Sequence, residues 1–327
     1  MAGGTRSPFE RRGRLSRESP LVGGLRQNEE GFDPRTDGLA LPHAPAEAVS
    51  EPDPRALSQL IPADEPGRDI DDWGRSETTF RLAEPILDFY YRYWFRVELE
   101  NVENVPSTGG ALLVANHSGA LPPDATMIMH GIRTEHSRPR PVYMLGEHWF
   151  KGYPGVGMLT NKIGLVAAHP ANAQRLLCDE GRLALVFPEG QKGSRKLYWQ
   201  RYKLRRFGRG GFVRTAIRAG VPIVPIAVVG AEEAMPIFAH VPLLQRLTGL
   251  IYFPINHAFP HFGLAAGLMY MPAKFKIRFM EPVDLSRYGP DDAEDVALVQ
   301  SVAETIRTTI QREVDTLVAS RESVWFG

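Results

Sequence analysis

The chain has 327 residues, 43% of them hydrophobic, enough for one large domain or two small ones with a true core. Its 38 basic residues equal its 38 acidic ones, so the molecule is not built to coat nucleic acid, and any pull on anions must come from local clusters. A single cysteine, Cys178, excludes an intramolecular disulfide and implies no oxidising compartment.

Residues 1 to about 75 are rich in Pro, Gly and charge, with sparse, aperiodic apolar residues. They bury too little surface to offset chain entropy and are expected to form a disordered extension, with short helical turns around Arg55–Leu60. The basic N-terminus lacks the apolar run of a secretory signal. No stretch of about 18 apolar residues is present, so no transmembrane helix is expected. The chain is therefore expected to be cytoplasmic, and it could still lie on a membrane surface.

Ser76 to Leu99 reads as a helix with an irregularity at Pro85. Its aromatic residues, among them Tyr93, Trp94 and Phe95, alternate with Arg81, Arg92 and Arg96. Such a helix either packs on the domain or lies at a membrane boundary. Beyond Pro106, short apolar runs predict buried strands at Ala111–Ala115, Val142–Leu145, Gly164–Ala168, Leu183–Phe187, Ile223–Val229 and Phe275–Met280. Helices are predicted at Ala125–Gly131, Asn172–Glu180 and Gly211–Ala219. Alternation of this kind argues for an α/β domain with a mixed, largely parallel sheet flanked by helices. Val299, Val302, Ile306, Ile310, Val314 and Leu317 mark the apolar face of a last helix, entered through Asp291, Asp292, Glu294 and Asp295.

Two strand ends carry chemistry. Ala111–Ala115 runs into Asn116-His117-Ser118-Gly119, with Asp124 a few residues on. A histidine at the carboxyl end of such a strand is placed to move a proton, and a nearby carboxylate can orient its ring. Asp124 could equally cap the helix that follows. Leu183–Phe187 runs into Pro188-Glu189-Gly190, where Glu189 could bond an acceptor hydroxyl or a neighbouring cation, or the segment could be only a turn.

A basic run follows: Lys192, Arg195, Lys196, Arg201, Lys203, Arg205, Arg206 and Arg209, with no acid among them. A phosphate-bearing partner suits it, from coenzyme A, a phospholipid headgroup or an anionic membrane; single-stranded nucleic acid ranks lower. In Val221-Pro-Ile-Val-Pro225, the prolines lack a ladder donor, so a central strand is expected to begin after them. The apolar, Pro-broken stretch Leu247–Met271 suits a hydrophobic lid, a lipid-dipping patch or an ordinary insertion. His257 and His261 lie four apart, but Pro260 and the lack of a third ligand argue against a metal site.

In this order the blocks resemble the glycerolipid acyltransferase superfamily typified by bacterial lysophosphatidic acid acyltransferase, over about residues 105–285. Asn116-His117 with Asp124 is similar to its N-H-x4-D block, Phe187-Pro188-Glu189-Gly190 to F-P-E-G, and Val221–Pro225 to V-P-I/V-x-P. Six residues rather than four separate His117 from Asp124, a wording nearer the monoacylglycerol- and diacylglycerol-type branch. The second block, around 164–172, lacks its arginine, so His169 or Arg175 would have to replace it. In the third, Gln191-Lys192 follows Glu-Gly.

The resemblance implies transfer of a fatty acyl group from acyl-CoA or acyl carrier protein to a hydroxyl of a lysophospholipid or glycerolipid. It assigns His117 and Asp124 to catalysis. Asn116, Ser118, Gly119, Phe187, Pro188, Glu189, Gly190, Lys192 and Arg195 would contact substrate, with no resident cofactor. Two other readings stay open: a non-catalytic lipid- or acyl-carrier-binding protein on the same fold, and a thioesterase-type hydrolase. The chain has no G-x-S-x-G elbow, which counts against a serine hydrolase.

Overall fold

The two strands with the most continuous apolar sequence form the middle of the sheet. Strand β2 (Ala111–Ala115) and strand β6 (Ile223–Val229) are buried at every position, as strands covered on both faces must be. The computed structural model describes residues 69–118, 123–146, 156–241 and 269–326, with three further positions between 243 and 261. These belong to one unit, Ala63–Gly327. Most of the N-terminal extension, including Arg55–Leu60, lies outside the described residues, as do Gly119, His257 and most of Leu247–Met271.

The remaining strands are β1 (Glu98–Glu100), β3 (Val142–Gly146), β4 (Leu165–Ala167), β5 (Leu183–Val186) and β7 (Lys276–Phe279). The sheet order is β1-β7-β6-β2-β5-β3-β4. Every neighbouring pair is parallel except β6 and β7, so the sheet is mixed and largely parallel. Alternation along the strands splits the core between two faces. Leu113, Leu185, Val224 and Ile226 pack beneath helices α1 (Glu77–Asp88) and α2 (Pro123–Glu135). Leu112, Val114, Ala184 and Ala227 pack on the other face against α6 (Gly211–Ala219) and α8 (Val296–Ala319). Shorter helices are α3 (Val156–Lys162), α4 (Pro170–Gln174), α5 (Gln191–Ser194) and α7 (Ala231–Ala234).

Three expectations are corrected. Ser76–Leu99 is not one helix: α1 runs through Pro85, widens to a π-helical turn at Phe89–Trp94, and gives way to edge strand β1. Three residues reading Glu-Leu-Glu carry no strand signature, and only pairing with β7 makes them one. Pro225 sits inside β6 rather than before it. Its carbonyl accepts from Met280 N at 2.9 Å, just past the end of β7; it lies between an isolated antiparallel bridge, Ile223 with Val283, and the continuous ladder that starts at Ile226 opposite Phe279. The missing N–H therefore falls at the margin of the ladder. Helix α4 turns π-helical at Arg175–Asp179 instead of running regularly from Asn172 to Glu180.

Residues 69–75, assigned by composition to the extension, pack on the domain. Trp73 Nε1 donates to Glu180 at 3.0 Å, and Tyr143 donates to Asp71 at 2.5 Å. Asp69 accepts from Thr78 N and Ser76 Oγ, each at 2.8 Å. Bonds from Thr78 and Ser76 hold its carboxyl at about 2, below the ordinary 3.8. A depressed carboxyl contributes stability that is present above its unfolded value and lost as pH falls through the folded one. The Asp69 bonds to Thr78 and Ser76 are therefore expected to be lost between about pH 4 and 2. The Trp73 contribution to fluorescence, isolated with Trp73→Phe, should change in that window, and Asp69→Asn should remove the transition.

Candidate active site

Strands β2, β5 and β6 lie side by side and parallel, so the residues that follow them meet at one edge of the sheet, where open α/β folds place their sites. Three successive residues after β2 are held by three different elements. The Asn116 amide donates to Val228 O at 2.9 Å and accepts from Val228 N at 2.8 Å, tying the end of β2 to β6. His117 N donates to Glu189 Oε1 at 3.0 Å. Ser118 N donates to Asp124 Oδ2 at 3.0 Å.

That same Asp124 oxygen lies 3.1 Å from His117 Nδ1. A carboxylate only accepts, so in the neutral ring this contact assigns the proton to Nδ1 and leaves Nε2 with its lone pair. Among the described residues Nε2 has no hydrogen-bond partner. The imidazole stacks on Phe187 at 4.3 Å and 27°, and its side chain is 14% exposed, whereas Asp124 is wholly buried. Asp124 also meets its alternative assignment in part: Oδ1 accepts from Ala125 N in the first turn of α2 at 2.7 Å. The six intervening residues do not prevent the carboxylate from reaching the ring.

Glu189 faces inward. Its carboxylate accepts from His117 N and from Arg205 N at 2.7 Å, and Lys196 Nζ lies 3.4 Å away. Lys196 is itself buried and pairs with Glu232 at 2.7 Å; Glu232 accepts from Tyr202 N. Burial pushes the Glu232 carboxyl above its ordinary range, against the pull of Lys196. Gly193 is packed so closely here that a Cβ would come 2.6 Å from Glu189 Cβ and 3.0 Å from His117 Cβ. The side chains of Asn116 and Glu189, expected to touch substrate, are hydrogen-bonded to Val228 and to the His117 and Arg205 backbones.

Pro188, Glu189, Gly190, Lys192 and Arg195 border a space. With Arg205, Arg206, Arg209 and His240 they line a basic cleft of about 1090 Å³ beside the β5–α5 turn. The basic run is thus divided. Five of its members line this cleft, while Lys196 is buried between acids and Arg201 lies over Tyr198, 3.7 Å from Glu233. Neither proposed replacement for the second-block arginine stands with His117. His169 caps α4, accepting from Ala171 N, and lines an apolar groove with Leu112 and Val186 on the opposite sheet face. Arg175 is bound to Asp72 and Glu180 over the Trp73 ring.

Sequence reasoning passed over Lys196 as a site-building residue and passed over Glu232 and Glu233 altogether. Their one local signal is position: two acids in the short helix that follows a fully buried strand, at the same edge as His117 and Glu189. Glu233 is bound by Arg321 at 2.7 Å and by the Tyr202 hydroxyl, whose ionisation burial and the Glu233 charge push well upward.

Comparison with known proteins bears on the fold and the family. The family described as Acyltransferase matches residues 96–229, from the segment before β1 to the end of β6. An uncharacterized protein of Mycobacterium leprae is 42% identical over 246 residues, which is 75% of this chain and 66% of that protein, so the chain spans just under two thirds of its length. An uncharacterized protein of Mycobacterium tuberculosis is likewise 42% identical, over 75% of this chain and 68% of its own. A Gallus gallus protein described as a DGAT1/2-independent enzyme synthesizing storage lipids is 27% identical over 61% of this chain and 55% of its own. The crystal structure of the 1-acyl-sn-glycerophosphate (LPA) acyltransferase PlsC from Thermotoga maritima has the same fold. It matches with a TM-score of 0.50 and 19% identity, over 76% of this chain and 83% of that one. The chain belongs to the glycerolipid acyltransferase superfamily.

Proposed function

We propose that this protein transfers a fatty acyl group from a thioester donor, acyl-CoA or acyl carrier protein, to a hydroxyl of a lysophospholipid or neutral glycerolipid. The observation that carries the reading is the His117–Asp124 pair: an imidazole oriented through Nδ1 by a buried carboxylate, with Nε2 left to accept a proton. His117 Nε2 takes the proton of the acceptor hydroxyl as its oxygen attacks the thioester carbonyl. The carbon–sulfur bond then breaks, and the imidazolium returns the proton to the departing thiolate. Asp124 holds the tautomer and stabilises the transient cation. No acyl-enzyme is required, so Ser118 and Cys178 have no nucleophilic part, and the only further molecule called for is the donor itself.

Lys192, Arg195, Arg205, Arg206 and Arg209 in the cleft suit the phosphates of coenzyme A or of an acceptor headgroup. With Arg175 committed to Asp72 and Glu180, an acceptor phosphate would fall to this cleft, and a neutral acceptor would not need it. No helix among the described residues is long and apolar enough to cross a membrane. Helix α1 and its π-helical turn bury Phe80 and Tyr91 but leave Leu82 76%, Ile86 62%, Phe89 46% and Tyr93 71% exposed on the other side. That face supports peripheral association with a lipid surface.

The test is release of free thiol from acyl-CoA against lysophosphatidic acid, other lysophospholipids, monoacylglycerol and diacylglycerol, with the product identified by mass. Thiol release that ignores the acceptor would make the protein a hydrolase, and saturable lipid binding without release would make it a binding protein. Asp124→Asn should lower kcat by roughly 10²–10⁴ through loss of the oriented base. An unchanged rate would leave Asp124 as a helix-terminus residue only.

A further inference from the structure

The His117 loop is fixed at each step by a different part of the chain: Asn116 by β6, His117 N by Glu189, Ser118 N by Asp124. Two of these holds are made by carboxylates, Asp124 and Glu189, and that from Glu189 has a buried cation beside it. The Glu189 carboxylate must accept from two backbone N–H groups at once, His117 at 3.0 Å and Arg205 at 2.7 Å. A protonated carboxyl turns one oxygen into a donor and weakens one of those bonds. Glu232 is a second buried carboxylate in the same pocket of charge, and two acids desolvated together resist being ionised together unless a cation sits with them. That cation is Lys196, buried, 3.4 Å from Glu189 and 2.7 Å from Glu232.

We propose that Lys196 is a positioning residue for the catalytic histidine: its ammonium balances Glu189 and Glu232 so that Glu189 holds the His117 and Arg205 backbones in one arrangement. Arg205 lines the basic cleft, so one buried acid ties the proton acceptor to the wall where phosphate would bind. Lys196 reaches no reacting atom and acts only through Glu189. The burial that pushes Glu232 toward its protonated form supports this, because without the ammonium the two acids would compete for a proton.

This inference rests on His117 being the base, and the experiment separates the two claims. Lys196→Met keeps the apolar stem and removes the charge; Lys196→Met with Glu232→Gln removes the charge and one of its two partners. The acyl-CoA thiol-release assay is run beside NMR of isotope-labelled histidine, with the His117 ring signal assigned by its loss in His117→Gln. Lys196→Met is expected to shift or broaden the His117 signal and to lower kcat by about 10–100-fold, the effect of a misplaced reacting group. The double variant is expected to recover most of both.

Wild-type turnover with an unmoved His117 signal in folded Lys196→Met would overturn the proposal. So would an equal loss in the single and double variants. If Lys196→Met does not fold, a folded double variant with a near-native His117 signal supports charge balance, and an unfolded one overturns it. If the wild-type protein acylates no acceptor, the enzymatic reading fails, while the NMR comparison still decides whether Lys196 positions the ring.

Discussion

His117→Ala is expected to fold as the native protein does and to lower kcat by about 10²–10⁴, the usual consequence of removing a positioned general base. The fold should survive because β2 is anchored without the ring: Ala111–Ala115 are fully buried, Asn116 remains tied to Val228, and the His117 backbone still donates to Glu189. The imidazole contributes stacking on Phe187 and one bond to Asp124, both local. Binding of the thioester donor should persist, since the cleft cations belong to the β5–α5 turn and the 205–209 segment. Steady-state kinetics with one acyl-CoA and one acceptor measures this. A mutant that turns over at the wild-type rate would remove His117 from the mechanism.

Glu189→Ala should produce the opposite combination, a large loss of stability together with a loss of activity. The substitution leaves Lys196 paired with Glu232 but leaves the N–H groups of His117 and Arg205 without their acceptor. Leaving those two donors without an acceptor costs about 1.5–2.5 kcal/mol each, about 3–5 kcal/mol together. In a unit of this size that lowers Tm by roughly 6–20 °C. Thermal unfolding followed by circular dichroism measures it. A Tm shift of a degree or less would mean that water or another group takes over for Glu189. The contrast between the two variants matters: a residue that touches substrate affects turnover first, and one that assembles the loop affects both.

Much of the architecture was legible from local pattern. The runs Ala111–Ala115, Ile223–Val229 and Leu183–Val186 are apolar at nearly every position, and burial on both faces of a parallel sheet demands that. Helix α6 has the predicted bounds, Gly211–Ala219, because Gly220 ends it with a left-handed φ of 63°. Five of the six expected face residues of α8 are buried; Val302 is only half-buried, and Ala303 takes its place in the core. Strand β1 was not legible, since an edge strand of three residues draws its identity from its partner.

The amino-acid sequence by itself determined the order of strands and helices, the placing of His117 at a strand end, and the nearness of an acid at position 124. Each depends on residues within a few positions of one another, where hydrophobic period and turn chemistry act directly. Only the tertiary structure decided what Glu189, Asn116 and Lys196 do. Their partners lie far along the chain, 72 residues away for Glu189 with His117 and 112 for Asn116 with Val228. A buried charge or amide must find a partner wherever the fold brings one. Which partner that is depends on how β2, β5 and β6 come to lie side by side, and no local pattern encodes it.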